Sequence, residues 1–460
     1  MGLRKKPAAL VAAGAAAALA IAGCSSSSST TTPKSASTGS SAATSSAPAQ
    51  LIVWRLGASV PAEVTWMNGI ITQFHSEYPQ YAKTNVKVVW IPWTDVTSDW
   101  TTAEAGGKNA PDITELGNTE TPTEASAGAL ANITSYVNSW TNKSGLIAGE
   151  LANDQQNGNY YAVPLFGGTR GIWYRTDQFK AAGITSTPTT WAELLTDAQK
   201  LMKKYPTMFG GIGAPSNDTD AFASFIWGAG GQVATESNGT WTADLTSPQA
   251  EAGIKFYVDL ASTEHVSPTK YVGETELGNV GATSGGANED FFLGKLGMYI
   301  DGPWATQNFT GTIADKANLA SFPIPSQNGP NPAPVFAGGS DLGIWSTSKY
   351  PTADWDLIQT MDSPTNSTSF DSALDYDYFP PYTSELTNSN YSSQILSGFA
   401  KGAQITQISP LNAKNWSTAD STDYVIPDML KALMQGAPFQ STVAKYNTEL
   451  QNVLNTGNES

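Results

Sequence analysis

Gly294-Lys295-Leu296-Gly297-Met298-Tyr299-Ile300-Asp301-Gly302-Pro303-Trp304 is the stretch on which the reading of this chain turns. Met298, Tyr299 and Ile300 form a short apolar run suited to a buried strand. Gly302-Pro303 stops it, because proline offers no N–H to a ladder and glycine opens the turn. Trp304 therefore falls just past a strand end. In an open α/β sheet that is where a ligand crevice lies, so two readings of the ring compete: a binding platform, or core filling.

The rest of the chain supplies the sheet. Leu51-Ile52-Val53-Trp54 reads as a first buried strand, and Pro61 opens a helix whose Met67, Ile70, Ile71 and Phe74 recur at helical spacing. Val86–Trp90 is a second strand, Val96 to Ala105 a helix, and Asp112–Leu116 a third strand. This alternation predicts an α/β fold with mostly parallel sheets. Gly171–Tyr174 is a further strand. Thr190-Trp191-Ala192-Glu193 has the form of a capping box ahead of a helix, and Ser247-Pro248 opens another with Ile254, Tyr257, Val258 and Ala261 inward. Phe322-Pro323-Ile324-Pro325 is extended and stiff, as a segment crossing between lobes would be, and Asp420 to Leu454 is helical.

Ahead of the first strand, Arg4-Lys5-Lys6 precede an apolar run from Ala8 to Ile21, the pattern of an export signal. Leu19-Ala20-Ile21-Ala22-Gly23-Cys24 resembles the bacterial lipobox, which implies a lipid on Cys24, the only cysteine. Residues 25–50 are almost wholly Ser, Thr, Ala, Pro and Gly, the composition of a flexible tether. About 410 residues follow, more than one core usually serves. With 24 basic and 40 acidic residues the net charge is −16, which argues against a nucleic-acid partner and favours a neutral or cationic ligand. Trp and Tyr stand near Gly, Asn and Asp, and rings interleaved with amides and carboxylates suit a polyhydroxylated ligand: its C–H faces stack and its hydroxyls bond in plane.

Several pieces keep a common order: Ala110-Pro111-Asp112-Ile113 with Gly128-Ala129-Leu130, Tyr161-Ala162-Val163-Pro164, Trp173-Tyr174-Arg175-Thr176-Asp177, Thr189–Leu194, and Asp301-Gly302-Pro303-Trp304. In these the chain resembles the extracellular solute-binding proteins of ABC sugar importers, the maltose-binding-protein class. The resemblance implies a type II periplasmic-binding-protein fold: two lobes, each a mostly parallel sheet with helices on both faces, and a ligand cleft between them. By its pattern, residues 1–24 are a lipoprotein signal peptide and 25–50 the tether. One lobe is 51–165 plus 324–362, the other 166–323 plus 363–460. It implies a carbohydrate ligand, ABC permease subunits as partners, a membrane contact through lipid on Cys24, a monomer, no cofactor and no catalysis.

Carried over singly, the family's positions put sugar-stacking rings at Trp304 and Trp416 and polar contacts at Asn118 and Glu120. Asp218 and Asp220 fall in a contact loop whose aromatic residue is missing here. Asp341 lies in a Gly-rich ligand-facing turn, Gly338-Gly339-Ser340-Asp341, and Arg170 and Arg55 are further candidates. The competing reading of these polar residues is capping or a solvated turn.

Other chemistries find less material. A glycoside hydrolase needs two acids facing across the bond, about 5 to 9 Å apart, and Asp218 and Asp220 share one loop. His75 and His265 are the only histidines and stand in no H-E-x-x-H, so no metal is expected. Asp371, Asp375 and Asp377 lack the glycine and glutamate of a calcium loop and read as a solvated helix end. An adhesive surface lipoprotein would explain anchor and tether, but not the two-lobe pattern.

Overall fold

Leu51 and Val53 point inward from strand β1 (Gln50–Leu56), which is joined in parallel by β2 (Asn85–Ile91) and β3 (Ile113–Gly117). The computed structural model describes residues 47–93, 95–106, 110–273, 287–308, 316–374 and 378–457. Cys24, the signal segment and most of the tether lie outside these, as do Asp375 and Asp377. The tether expected through Gln50 ends earlier. The Thr84 hydroxyl donates to the Pro48 carbonyl at 2.7 Å, the Asn85 N–H donates to the Ala49 carbonyl at 3.0 Å, and Gln50 already belongs to the sheet.

The crossover helices are where the apolar spacing put them. Helix α1 (Pro61–Glu77) buries Met67, Ile70 and Phe74, and α2 (Val96–Glu104) buries Val96, Trp100 and Ala103. Further along are β4 (Ala162–Thr169), β5 (Gly171–Arg175), β6 (Met298–Asp301), β7 (Leu319–Phe322), β8 (Val335–Ile344) and β9 (Thr406–Gln407). The first sheet is six-stranded, ordered β9-β8-β3-β1-β2 with β4 also paired to β8. The second is three-stranded, with β5 between β6 and β7 and every pairing antiparallel. The expectation of a mostly parallel sheet in each lobe is corrected for this one. Long helical connections separate β5 from β6, so the chain can re-enter the sheet from either end, and local patterning cannot tell which.

Two main apolar cores follow the sheets. One gathers Leu51, Phe74, Ile113, Val163, Leu342, Ile344 and Phe370; the other gathers Ile172, Leu194, Phe225, Tyr257, Met298, Phe322, Val335 and Leu454. The Thr190 hydroxyl and Glu193 carboxylate form the predicted capping box at the start of α3 (Trp191–Lys204), worth about 1 kcal/mol. Phe322 and Ile324, expected in a crossing segment, both pack in the second core, and the Trp191 indole N–H donates to the Pro325 carbonyl at 3.0 Å. The chain passes between cores in β8 instead, from Val335 and Phe336 to Leu342 and Ile344, and in β4, whose Val163 and Leu165 precede Ile172 of β5. Gly436, with φ of 92°, breaks the expected C-terminal helix into Val425–Met434 and Phe439–Thr456. Asp371, read as part of a solvated helix end, is 1% exposed and accepts the Tyr391 hydroxyl at 3.4 Å. Among the described residues no helix is long and apolar enough to cross a membrane.

Candidate functional site

Where β4 and β8 pass between the cores they expose only backbone to each other. Gly167 is paired with Gly339, and Gly168 with Gly338. Gly338-Gly339-Ser340-Asp341, expected as a turn, is thus the middle of a strand. Glycine normally weakens a strand; here it admits close neighbours. A Cβ at Gly168 would stand 2.6 Å from Cζ3 of Trp304, and a Cβ at Gly167 would stand 2.5 Å from Oε1 of Glu150. Successive residues of a strand face opposite sides, so the Trp304 indole covers one face of the crossing and the Glu150 carboxyl the other. Gly339 has φ of 145°, where side chains are strained.

Trp304 follows β6 as its sequence implied. The ring is half-buried and has two partners: the Arg170 guanidinium carbon is 4.8 Å from its centroid, and Tyr378 is near-parallel at 6.3 Å and 19°. Arg170 comes from the short link between β4 and β5. Its Nη2 donates to Asp220 at 3.2 Å, and its Nε stands 3.8 Å from Asp218. Asp218 also caps helix Thr219–Gly228, accepting the Ala221 N–H at 3.1 Å. Asp301 accepts the Tyr299 hydroxyl and, at 2.7 Å, the Gly302 N–H. Burial pushes Asp301 up to about 6 and Asp220 up to about 7, while Arg170 pulls both down. Asp220 keeps 27% of its side chain exposed, so water offsets part of that effect.

The other wall starts at the end of β3. Glu120 is partly exposed, and its carboxylate lies over Gly117. Burial raises its pKa, the Thr119 hydroxyl lowers it, and Asp420 raises it again. Asp420 belongs to the second lobe, where it accepts the Thr219 hydroxyl at 2.6 Å. Beside this acidic pair the lobes touch directly, the Thr123 hydroxyl donating to the Lys414 carbonyl at 2.9 Å. Asn118, 5% exposed, sits behind the wall: its N–H donates to the Gly339 carbonyl at 3.2 Å and its carbonyl accepts from Asn153 at 2.7 Å.

The structure brings Trp304, Arg170, Asp218 and Asp220 together, with Glu120 opposite. Four expected contacts are corrected, the buried Asn118 among them. Trp416 is 2% exposed and packs in the second core, because the helices around it close over its ring. Asp341 is 2% exposed and accepts the Thr121 hydroxyl at 2.6 Å; burial and the nearby charges of Glu120 and Glu115 push it up to about 7, against hydrogen bonds from Thr121 and the buried carboxyl of Asp154 that pull it down. Arg55 is 1% exposed, 2.8 Å from Glu115 and 3.7 Å from Glu63, with its guanidinium carbon 5.3 to 5.9 Å from the ring centroids of Trp66, Trp90 and Phe370. Sequence reasoning missed Tyr378, Asp420 and Asp301. Asp301 stood next to the Gly-Pro-Trp turn and carried a signal; Tyr378 and Asp420 carried none.

An aromatic platform and charged groups at a paired-glycine crossing between two lobes define the class: a two-lobed solute-binding protein of type II periplasmic fold. The profile of the bacterial extracellular solute-binding proteins matches residues 57–367, and the chain belongs to that family. The chain is 26% identical over 310 residues to the diacetylchitobiose binding protein DasA of Streptomyces coelicolor, covering 65% of this chain and 66% of the relative, just under two thirds of its length. It is similar in fold to the GacH receptor of Streptomyces glaucescens, solved unliganded and with acarbose, at TM-score 0.73 and 20% identity, covering 88% of this chain and 98% of that one. It is also similar to the sugar-binding protein MalE of Xanthomonas citri, at TM-score 0.72 and 23% identity, over 88% and 97% of the two chains.

Proposed function

We propose that the chain is the extracytoplasmic binding subunit of an ABC importer, that it captures a carbohydrate between its lobes, and that it passes the sugar unaltered to a permease. The observation that carries this is the half-open Trp304 indole, flanked by Arg170 and Tyr378 and lying on the glycine crossing. A pyranose laid on that ring would offer hydroxyls to Asp220 and Arg170 and, from the other lobe, to Glu120. A ligand that bridges both walls favours the closed form by its preference for that form alone. Because Gly168 supports the ring directly, the sugar would sit on the strand that must bend. The names of DasA and MalE agree with a sugar ligand for those relatives.

In this reading the protein is a monomer held at the extracytoplasmic face of the cell membrane by lipid on Cys24, with no cofactor, and the lobe boundaries fall at the glycines of β4 and β8. A thermal-shift screen of mono- and oligosaccharides on the exported chain tests it. Saturating sugar, at 100 times Kd, adds about 2.7 kcal/mol of apparent stability and raises the melting temperature. The same mixtures, chromatographed after prolonged incubation, should contain no cleavage products. A panel that leaves the melting temperature unmoved, or that is hydrolysed, contradicts the reading.

A further inference from the structure

Trp93 is 49% exposed, whereas most of the large apolar side chains are buried. It stands just beyond Ile91, the last residue of β2, with Pro92 between. Its indole Nε1 is 3.3 Å from the position a Cβ would take at Gly57, immediately after β1, and its Cζ3 is 3.7 Å from that position at Gly117, the end of β3. The ring thus spans the carboxyl ends of two neighbouring parallel strands, the edge at which an open α/β sheet holds ligands. Glycine at both places lets the indole lie close against the strand ends, and at Gly57 the φ of 90° also favours it. The Glu120 carboxylate lies over the same Gly117, so a flat apolar face and an in-plane acceptor adjoin. Glu120 in turn acts electrostatically on Asp220 and Asp420 of the second lobe, so this surface opens on the cleft that holds Arg170 and Trp304.

Resting on the carbohydrate reading above, we infer that Trp93 with Glu120 forms a second sugar subsite on the first lobe, and that the ligand is an oligosaccharide of at least two rings. One pyranose face covers one indole, and the two platforms stand beyond strands of different sheets, Trp93 after β2 and Trp304 after β6. A monosaccharide fills only one of them. The second ring adds stacking on Trp93 and hydroxyl bonds to Glu120, and its binding draws the first lobe toward the second.

The test is calorimetry on the exported chain with two homologous series: glucose, maltose and maltotriose, and N-acetylglucosamine with its dimer and trimer. In at least one series the dimer should bind roughly tenfold or more tighter than the monomer, a difference of about 1.4 kcal/mol. In Trp93→Ala the dimer-to-monomer ratio should collapse to roughly threefold or less, while Phe209→Ala, which removes an exposed ring elsewhere, keeps the wild-type ratio. Dimer should also shield tryptophan fluorescence from acrylamide in the wild type more than in Trp93→Ala, a readout that needs no affinity. Sugars that bind with no dependence on length, or a ratio that survives in Trp93→Ala, would overturn the second subsite and leave the carbohydrate reading standing. A wild-type chain that binds neither series overturns both.

Discussion

Arg55 and Arg170 are built from the same parts and end in opposite situations. Each comes at or near the end of a strand, has two carboxylates as partners and lies against a tryptophan. Around Arg55 the parts close: Trp66 of α1 and Phe370 from a helix far along the chain complete the cage, and only 1% of the residue is exposed. Around Arg170 they stay open, because its partners Trp304 and Asp220 both keep a face toward the cleft. The contrast teaches that an arginine and its counterions mark a ligand site only if nothing distant covers them.

Substitutions should separate the two clusters. Arg55→Ala leaves Glu115 and Glu63 buried without their cation, and it should cost about 3 to 5 kcal/mol of folding stability in a denaturant titration. Glu63, already pushed up to about 7 by burial, can take up a proton and hold the loss toward the lower end. Arg170→Ala should act on ligand instead, weakening sugar binding by about 1.5 to 3 kcal/mol in calorimetry, the range for a hydrogen bond to a charged group, with a smaller change in melting temperature. Loss of stability without loss of affinity would mean the second cluster is structural like the first. Gly168→Ala is subtler: the new methyl meets the Trp304 ring, and displacing it should cost about 1 to 3 kcal/mol, read as weaker binding with the protein still folded.

The smallest expected change comes from pH alone. Burial raises Glu63, Asp220 and Asp301 above the ordinary carboxylate range, to about 7, 7 and 6. Between roughly pH 4 and pH 7 the folded chain therefore holds more protons than the unfolded one, and stability falls as pH rises through that window. Below it both states are protonated; above it the full cost of burying the charges is present. The melting temperature should be higher at pH 5.5 than at pH 8, and Glu63→Gln should flatten the slope. A melting temperature that rises over this interval contradicts the assignment.

What could be read from the sequence was what local patterning controls. The strand and helix order from Leu51 to Leu116 follows from apolar spacing, and Trp304 from the Gly-Pro stop before it. Ile91-Pro92-Trp93 carries nearly the same grammar, yet nothing local shows that its ring stays exposed, because that depends on Gly57 and Gly117 from two other strand ends. Arg55 and Asp341 were misjudged because Phe370 and Asp154, remote in sequence, bury them. Trp416 was misjudged because the helices that cover it must pack first. Gly338-Gly339 looked like a turn, since a glycine pair inside a strand makes sense only once the opposite glycines of β4 are known to face it.

The central claim is that the cleft at Trp304 grips a sugar. Titrating wild type and Trp304→Ala calorimetrically with the saccharide that gives the largest thermal shift tests it directly. The account predicts a loss of about 2 to 4 kcal/mol on removing this aromatic anchor, with the variant still folded. Equal affinity in the two proteins would contradict it.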